Sequence, residues 1–371
     1  MGERYDVIII GAGAGGATAA YFLSHAGARV LVLEQAKLPR YKPCAGAVTQ
    51  PVFDVLRLDW GGVIEREPLQ VTYYWDGNEP ASFPLTGRPA RMVMRDRFDW
   101  HILREGRATV WDATPARAIE ESSKGVTVTT VAGERVAADY LIGADGAYSL
   151  VARSLGLRRQ KRLCAVIEAE VEPDSAVFEQ YVNKAVFDLG IVKNGYLWIF
   201  AKRNHLSAGV AIMVDKGGKL RPILERGLEK LGIQLVGARL YGWTLPIYQG
   251  AERRSTPRTL LVGDAAGLVD PFTGEGIRHA VMSGRLAAQA ILTGRVGSYS
   301  SAVERYAQQT LRPMIAAAKL FFRHSRFCYQ YGVRNPRATR AWCNWLSGQS
   351  DVLSASWNMA LSVAESWWKR V

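Results

Sequence analysis

The sequence predicts an α/β fold of about two domains: a Rossmann-like nucleotide-binding domain, an antiparallel β domain threaded through it, and a helical C-terminal region. Three observations carry this. A glycine-rich βαβ unit opens the chain, alternating strand-like runs fill its middle, and apolar residues at helical spacing fill its end. With 371 residues the chain exceeds what one hydrophobic core serves well. The expected boundaries are 1–160 with 250–295 for a discontinuous nucleotide-binding domain, 161–249 for the β domain and 296–371 for the helical region.

The first element is the apolar run Tyr5 to Ile10, followed by GAGAGG, a helix-forming stretch ending at Gly27, and a second apolar run closing on Glu34. This is a βαβ unit with the fingerprint Gly11-x-Gly13-x-x-Gly16. Gly11 permits the tight turn, Gly13 lets backbone approach a pyrophosphate, and Gly16 lets the helix pack closely on the strand. The helix N-terminus offers free amides and partial positive charge to phosphate. Glu34 lies where an acid can accept a hydrogen bond from a ribose hydroxyl.

Two later segments distinguish FAD from a bare nicotinamide dinucleotide. Residues 140–153, YLIGADGAYSLVAR, read as a strand ending at Asp145-Gly146, a turn and a helix start. Residues 259–280, TLLVGDAAGLVDPFTGEGIRHA, read as a strand, then Gly263-Asp264, a loop with Pro271 and Gly274, and a helix beginning near Gly276. Such a strand can deliver Asp264 to a ribityl chain, while the next helix aims its N-terminal amides at a flavin ring, where negative charge gathers on reduction.

Composition narrows the alternatives. The net charge of +13 favours anionic partners, but it is diffuse, and no basic stripe interleaved with aromatics marks a nucleic-acid module. The densest cluster, Arg158, Arg159, Lys161 and Arg162, reads as a solvated loop. Cys44, Cys164, Cys328 and Cys343 are scattered without metal-ligand spacing, so no metal site and no disulfide framework is expected. No signal segment and no run of about 18 apolar residues occurs. The expected location is therefore cytoplasmic, with attachment to the inner face of a membrane left open.

The set GAGAGG, ADG and GDAAGLVDPFTGEG resembles the FAD-dependent oxidoreductases of the glutathione-reductase fold, in the branch with aromatic hydroxylases. Within it the chain is most similar to the geranylgeranyl reductase family. LPRYKPCAGAV resembles that family's Lys-Pro-Cys loop, which implies Cys44 near the flavin and adds Arg40 to the cofactor residues. NGYLWIFAKRNHLSAGVA resembles its Tyr-x-Trp-x-Phe strand, with Lys193 and Ala201 in place of two prolines and Ala211 in place of a glycine. MRDRFDW, with Arg95, Phe98 and Asp99, belongs to a segment shared by the broader branch.

Between the cofactor segments, VTYYW and ASFPL flank the turn DGNEP, and VTVTTV and RVAAD flank AGE; the second pair reads as a small inserted hairpin. Residues 163–248 alternate as a separate antiparallel sheet, with KRNH as a turn. In that sheet Tyr196, Trp198 and Phe200 share one face, opposite Leu197 and Ile199, and are the candidate substrate-binding wall. The helical end closes on a tail stripe of Leu353, Trp357, Leu361, Ala364 and Trp368, N-capped by Ser350 or Asp351. Trp342, Trp345, Trp357, Trp367 and Trp368 beside Lys369 and Arg370 suit a membrane headgroup interface as well as packing on the protein body.

The expected activity is FAD-dependent saturation of C=C bonds in a geranylgeranyl or related isoprenoid chain, with hydride from reduced flavin N5. NAD(P)H or reduced ferredoxin is the expected donor, since no second GxGxxG occurs. Cys44 is the candidate catalytic residue; His205 and His279 read as structural. Two rivals share the fold. One is a flavin monooxygenase acting on an apolar substrate. The other is a non-catalytic prenyl carrier, which would have no need of the glycines, Glu34 and Asp264.

Overall fold

The structure, a computed structural model, describes residues 4–85, 87, 89–158, 162–213 and 219–350, together with 354, 355, 358, 361 and 362. Arg159, Lys161, Asp351, Leu353, Trp357, Ala364, Trp367, Trp368, Lys369 and Arg370 lie outside the described residues. In chain order the described strands are β1 (Arg4–Ile10), β2 (Val30–Leu33), β3 (Ala47–Thr49), β4 (Ile64–Arg66), β5 (Gln70–Trp75), β6 (Asn78–Pro84), β7 (Ala90–Val93), β8 (Thr109–Trp111), β9 (Ala116–Ser122), β10 (Gly125–Thr130), β11 (Arg135–Gly143), β12 (Arg162–Val171), β13 (Lys184–Asp188), β14 (Gly195–Ala201), β15 (Leu206–Ile212), β16 (Arg239–Ile247) and β17 (Thr259–Leu261). They fall into two compact units, each built from three stretches of chain.

The first unit comprises Met1–Lys42, Arg95–Arg162 and Leu245–Arg312. Its sheet runs β8-β2-β1-β11-β10-β9, with β17 also on β11. β1 pairs parallel with β2 and β11. β11 serves two partners in turn: its first half pairs antiparallel with β10 and its second half parallel with β17. The inserted hairpin is thus part of this one sheet. All four residues of β2 are buried, as an apolar run covered on both faces must be.

Backbone crowding sets the geometry around helix Ala14–His25. A methyl group added at Gly16 would stand 2.0 Å from the Gly11 carbonyl oxygen, and one at Gly11 would stand 2.4 Å from that of Ala144. The same helix packs on helix Ile277–Leu292, where a methyl at Gly284 would stand 2.3 Å from the Gly15 carbonyl oxygen. No larger side chain permits these approaches.

The second unit comprises Pro43–Met94, Leu163–Thr244 and Pro313–Val371. It holds a seven-stranded sheet, β16-β12-β15-β14-β13-β5-β6, and a three-stranded sheet, β3-β7-β4. Within 163–248 the pairs β12–β15, β13–β14 and β14–β15 are antiparallel, as expected, while β5 joins the sheet from outside that segment and runs parallel to β13. Those strands are joined by a long connection rather than a hairpin, so no tight turn dictates their direction. The units also cut the chain differently from the sequence boundaries. Residues 43–94 and those from 313 on join this unit because β5 and β6 complete its sheet and the C-terminal region fastens to them. The Tyr329 hydroxyl donates to the carbonyls of Tyr73 and Glu79, and Glu79 pairs with Arg326 and Arg334.

One face of the larger sheet buries Leu197, Ile199, Ala208 and Val210 against Leu224 and Leu228 of helix Leu220–Lys230. Apolar burial of this kind contributes roughly 25 cal/mol per Å². Replacing Gly16 by Ala is expected to cost about 1–3 kcal/mol of stability through overpacking. Gly297→Ala, where a methyl meets nothing within 4 Å, is expected to change little. Chemical denaturation of the two variants checks this.

Candidate functional site

In the first unit the fingerprint glycines gather a compact set of charges. The Ala12 amide donates to Glu34 Oε2 at 2.9 Å and the Ala36 amide to Glu34 Oε1 at 3.1 Å, so the acid ties the glycine turn to the end of β2. Arg40 Nε lies 3.2 Å from Glu34 Oε2, and Arg40 Nη1 lies 3.6 Å from Asp99 Oδ2. Arg95 grips Asp99 in a two-pronged pair, Nε to Oδ1 at 2.9 Å and Nη2 to Oδ2 at 2.7 Å. Both guanidinium groups face the start of the helix: a methyl at Gly13 would stand 3.7 Å from Arg40 Nη2 and 3.9 Å from Arg95 Nη2. Arg40 Nη1 is buried and makes no hydrogen bond among the described residues.

The two Asp-Gly turns lie in the same unit. Asp145 follows Ala144, whose carbonyl faces Gly11, and its Oδ2 accepts from the Val151 amide at 3.1 Å. Burial raises the Asp145 pKa, and its Oδ1 is buried and makes no hydrogen bond among the described residues. Gly146 takes a positive φ of 80° in this turn. Beyond β17, Gly263 also has a positive φ, of 56°, and Asp264 pairs with Lys42 at 3.7 Å. A methyl at Gly276, the N-cap of helix Ile277–Leu292, would stand 3.6 Å from Asp264 Oδ1.

The loop with Pro271 and Gly274 closes on Asp270. Its Oδ1 accepts from the amides of Phe272 and Thr273 at 2.7 and 2.9 Å, and its carbonyl accepts from Gly274. Arg158 corrects the expectation of a solvated loop. It is buried at a positive φ of 46°, and its guanidinium donates to the carbonyls of Asp264 and Ala265, the first of which also accepts from the Gly267 amide. His279 is buried and hydrogen-bonded through Nδ1 to the Tyr306 hydroxyl at 2.8 Å, its Nε2 makes no hydrogen bond among the described residues, and burial lowers its pKa.

In the second unit the expected aromatic wall extends across the sheet. Residues paired across strands point to the same face, and Tyr73, Phe187, Trp198 and Gly209 stand in register, followed by Glu168. Tyr73 stacks on Phe187, which meets Phe200 and Tyr196 edge-on at 5.3 and 5.9 Å between ring centres. A methyl at Gly209 would stand 2.2 Å from the Trp198 ring, so this glycine is the bed on which the indole lies. The Trp198 indole nitrogen is buried and makes no hydrogen bond among the described residues.

Beside this row, the Cys44 amide donates to Glu168 Oε1 at 3.2 Å. Lys202, in the turn after the wall, is completely buried and donates to the carbonyls of Ala45 and Val93. His205 pairs with Glu170 at 2.9 Å in the same turn. Sequence reasoning found the three rings but missed Phe187, Tyr73, Glu168 and Lys202. Only strand pairing places the first three on this face, and a lysine in KRNH carries no mark of burial. Among the described residues no group of three or more His, Cys, Asp or Glu is placed to hold a metal ion, and no helix is long and apolar enough to cross a membrane.

Comparison with known proteins agrees with these features. A family model described as an FAD binding domain matches residues 4–66 and 96–199. The chain is 30% identical over 370 residues to a digeranylgeranylglycerophospholipid reductase of Thermoplasma volcanium, covering 86% of this chain and 88% of that one. It is 29% identical over 330 residues to a menaquinone reductase of Mycolicibacterium smegmatis, covering 81% and 80%. A solved structure from Thermoplasma acidophilum, described as geranylgeranyl bacteriochlorophyll reductase-like, superposes with a TM-score of 0.74 at 24% identity, covering 86% of this chain and 88% of that one.

Fold and sequence together define an FAD-dependent oxidoreductase. The chain belongs to the geranylgeranyl reductase family.

Burial pushes the Asp270 carboxyl up to about 7 against the opposing pull of its two amide donors, with Glu275 adding to the rise. The folded state therefore holds a proton that the unfolded chain releases from about pH 4 upward, and stability falls as pH rises towards 7. Asp270→Asn keeps an acceptor for both amides without the buried charge. It is expected to melt above the wild type at about pH 8 and close to it at about pH 4, in thermal scans across that range.

Proposed function

We propose that this protein reduces C=C bonds of a geranylgeranyl or related isoprenoid chain, presented as a free diphosphate or as the tail of a lipid or pigment. The observation that carries the reading is the continuous row of rings on one sheet face, Tyr73, Phe187 and Trp198 in register, with Tyr196 and Phe200 beside them. The names borne by the relatives, a digeranylgeranylglycerophospholipid reductase and a menaquinone reductase, support a substrate with an isoprenoid part.

The cofactor residues fit FAD. Gly11, Gly13 and Gly16 leave the helix start open, and Arg40 and Arg95 turn guanidinium groups towards it, one with a buried nitrogen that makes no hydrogen bond among the described residues. This is a cradle for a pyrophosphate. Glu34 orders the turn and keeps lone pairs for a ribose hydroxyl. Asp145 and Gly146, with Gly263, Asp264, Pro271, Gly274 and Gly276, serve the remainder of the cofactor. FAD, when bound and reduced, would supply the hydride from N5; NAD(P)H or reduced ferredoxin is the donor we propose.

A trisubstituted alkene far from any carbonyl accepts hydride poorly unless its other carbon takes a proton, so positive charge develops at the reacting bond. Ring faces attract such charge by about 0.5–2 kcal/mol each in a dry setting. Tyr196, Trp198 and Phe200 therefore guide an apolar chain and soften that charge, and Cys44 acts beside them.

Under anaerobic conditions, dithionite-reduced protein is expected to be reoxidised by geranylgeranyl diphosphate or a lipid-linked prenyl chain, with product mass rising in steps of two hydrogens. Trp198→Leu is expected to slow this by roughly tenfold. Reoxidation that waits for air, with oxygen entering the product, would overturn the reading in favour of a monooxygenase. A purified protein without flavin would overturn it in favour of a carrier.

We further propose peripheral attachment to an anionic lipid surface, through the C-terminal region of the second unit. Residues 313–346 carry six Lys or Arg and no Asp or Glu. Lys319, Arg323, Arg337 and Arg340 are exposed, and beside them Leu320 is 63% and Phe327 45% exposed. Basic and apolar groups side by side fit a headgroup interface. The protein is expected to sediment with phosphatidylglycerol vesicles and not with phosphatidylcholine alone. Replacing Lys319 and Arg323 by Glu together is expected to weaken that binding at least about tenfold.

A further inference from the structure

The aromatic face ends in two buried opposite charges that hold one short loop. Lys202 continues the alternation of Tyr196, Trp198 and Phe200, and its amide still donates to the His205 carbonyl at 2.8 Å, so it extends the row by one step. Its ammonium is wholly buried and donates to the Ala45 carbonyl at 2.6 Å and the Val93 carbonyl at 3.1 Å. Glu168, also wholly buried, takes the Cys44 amide at 3.2 Å. Anion and cation thus grip successive residues of the loop, one by a donor and the other by an acceptor.

Space at the joint is reserved for this. Gly46 has a positive φ of 69°, and a methyl there would stand 2.5 Å from Lys202 Nζ and 2.1 Å from the Val93 carbonyl oxygen. The Gly46 amide in turn donates to Cys44 Sγ at 3.4 Å, so holding the loop also holds the sulfur. The surrounding hairpin end is fastened independently: Arg66 donates to the carbonyls of Lys202 and Arg203, and the Arg203 amide donates to Glu65. Stability alone does not call for the buried charges. Burying an ammonium is costly and lowers its pKa, as it does for Lys202.

We propose that Lys202 and Glu168 are positioning residues for Cys44, which hold its loop, and so its thiol, at the end of the aromatic row during the reduction. This rests on the isoprenoid-reductase reading given above. Neither residue needs to touch substrate; each acts through the loop.

The test uses FAD-loaded protein carrying Lys202→Met. Alkylation of Cys44 by iodoacetamide, followed by peptide mass spectrometry, is expected to change in rate by roughly tenfold, and kcat for the prenyl substrate to fall by roughly tenfold at unchanged KM. Glu168→Leu is expected to behave alike, while Glu168→Gln, which keeps an acceptor for the Cys44 amide, is expected to label and turn over close to the wild type. A folded, FAD-loaded Lys202→Met protein with wild-type labelling would overturn the proposal, whether or not turnover fell. If that variant does not fold, equal labelling of Glu168→Leu and Glu168→Gln overturns it instead. Failure of the wild type to saturate any isoprenoid would sink the reductase reading and leave the labelling result standing.

Discussion

The approach of the Gly16 Cα to the Gly11 carbonyl is the constraint from which the first unit follows. Because no side chain separates helix Ala14–His25 from the end of β1, the helix points its free amides at the mouth of the sheet. The partial positive charge there is worth little alone, typically below about 1 kcal/mol. It acquires meaning from what the close approach brings in around it: Arg40 and Arg95 on the open side of Gly13, with Glu34 and Asp99 behind to keep the guanidinium planes fixed. Two acids and two arginines, nearly buried, are expensive to desolvate unless all are paired. Arg40 Nη1, 3.6 Å from Asp99 Oδ2, makes no hydrogen bond among the described residues.

The second unit uses buried charge differently. Its large sheet is apolar on both faces, so a strand such as β14 is buried along nearly its whole length. On one face the side chains are aliphatic and interlock with a helix; on the other they are aromatic, and the bed for the largest ring is a glycine on the neighbouring strand. Lys202 and Glu168 supply what rings cannot, a fixed polar end against which a loop takes one position.

Much of this was legible in the chain. β1, helix Ala14–His25 and β2 are local structures dictated by an apolar run, three glycines and a terminal acid, and they appear where that pattern puts them. The wall on β14 follows from the period of two along a strand. What was not legible shares one feature: it depends on which segments are neighbours across the fold. Arg158 looked like a member of a solvated basic cluster, yet it lies inside, where the turn at 263–266 presents the carbonyls of Asp264 and Ala265 to its guanidinium. The parallel pairing of β5 with β13, which carries Tyr73 into line with Phe187, joins residues more than a hundred positions apart.

The sequence by itself determined the α/β class, the glycine-rich βαβ unit and the presence of an aromatic strand face, because each rests on backbone freedom, side-chain periodicity or spacing within a few turns of chain. Only the tertiary structure decided which charges are buried and what they hold. A lysine or a glutamate has the same local preferences in water as in a core; its burial is settled by partners arriving from distant segments, as Ala45 and Val93 do for Lys202 and Cys44 does for Glu168.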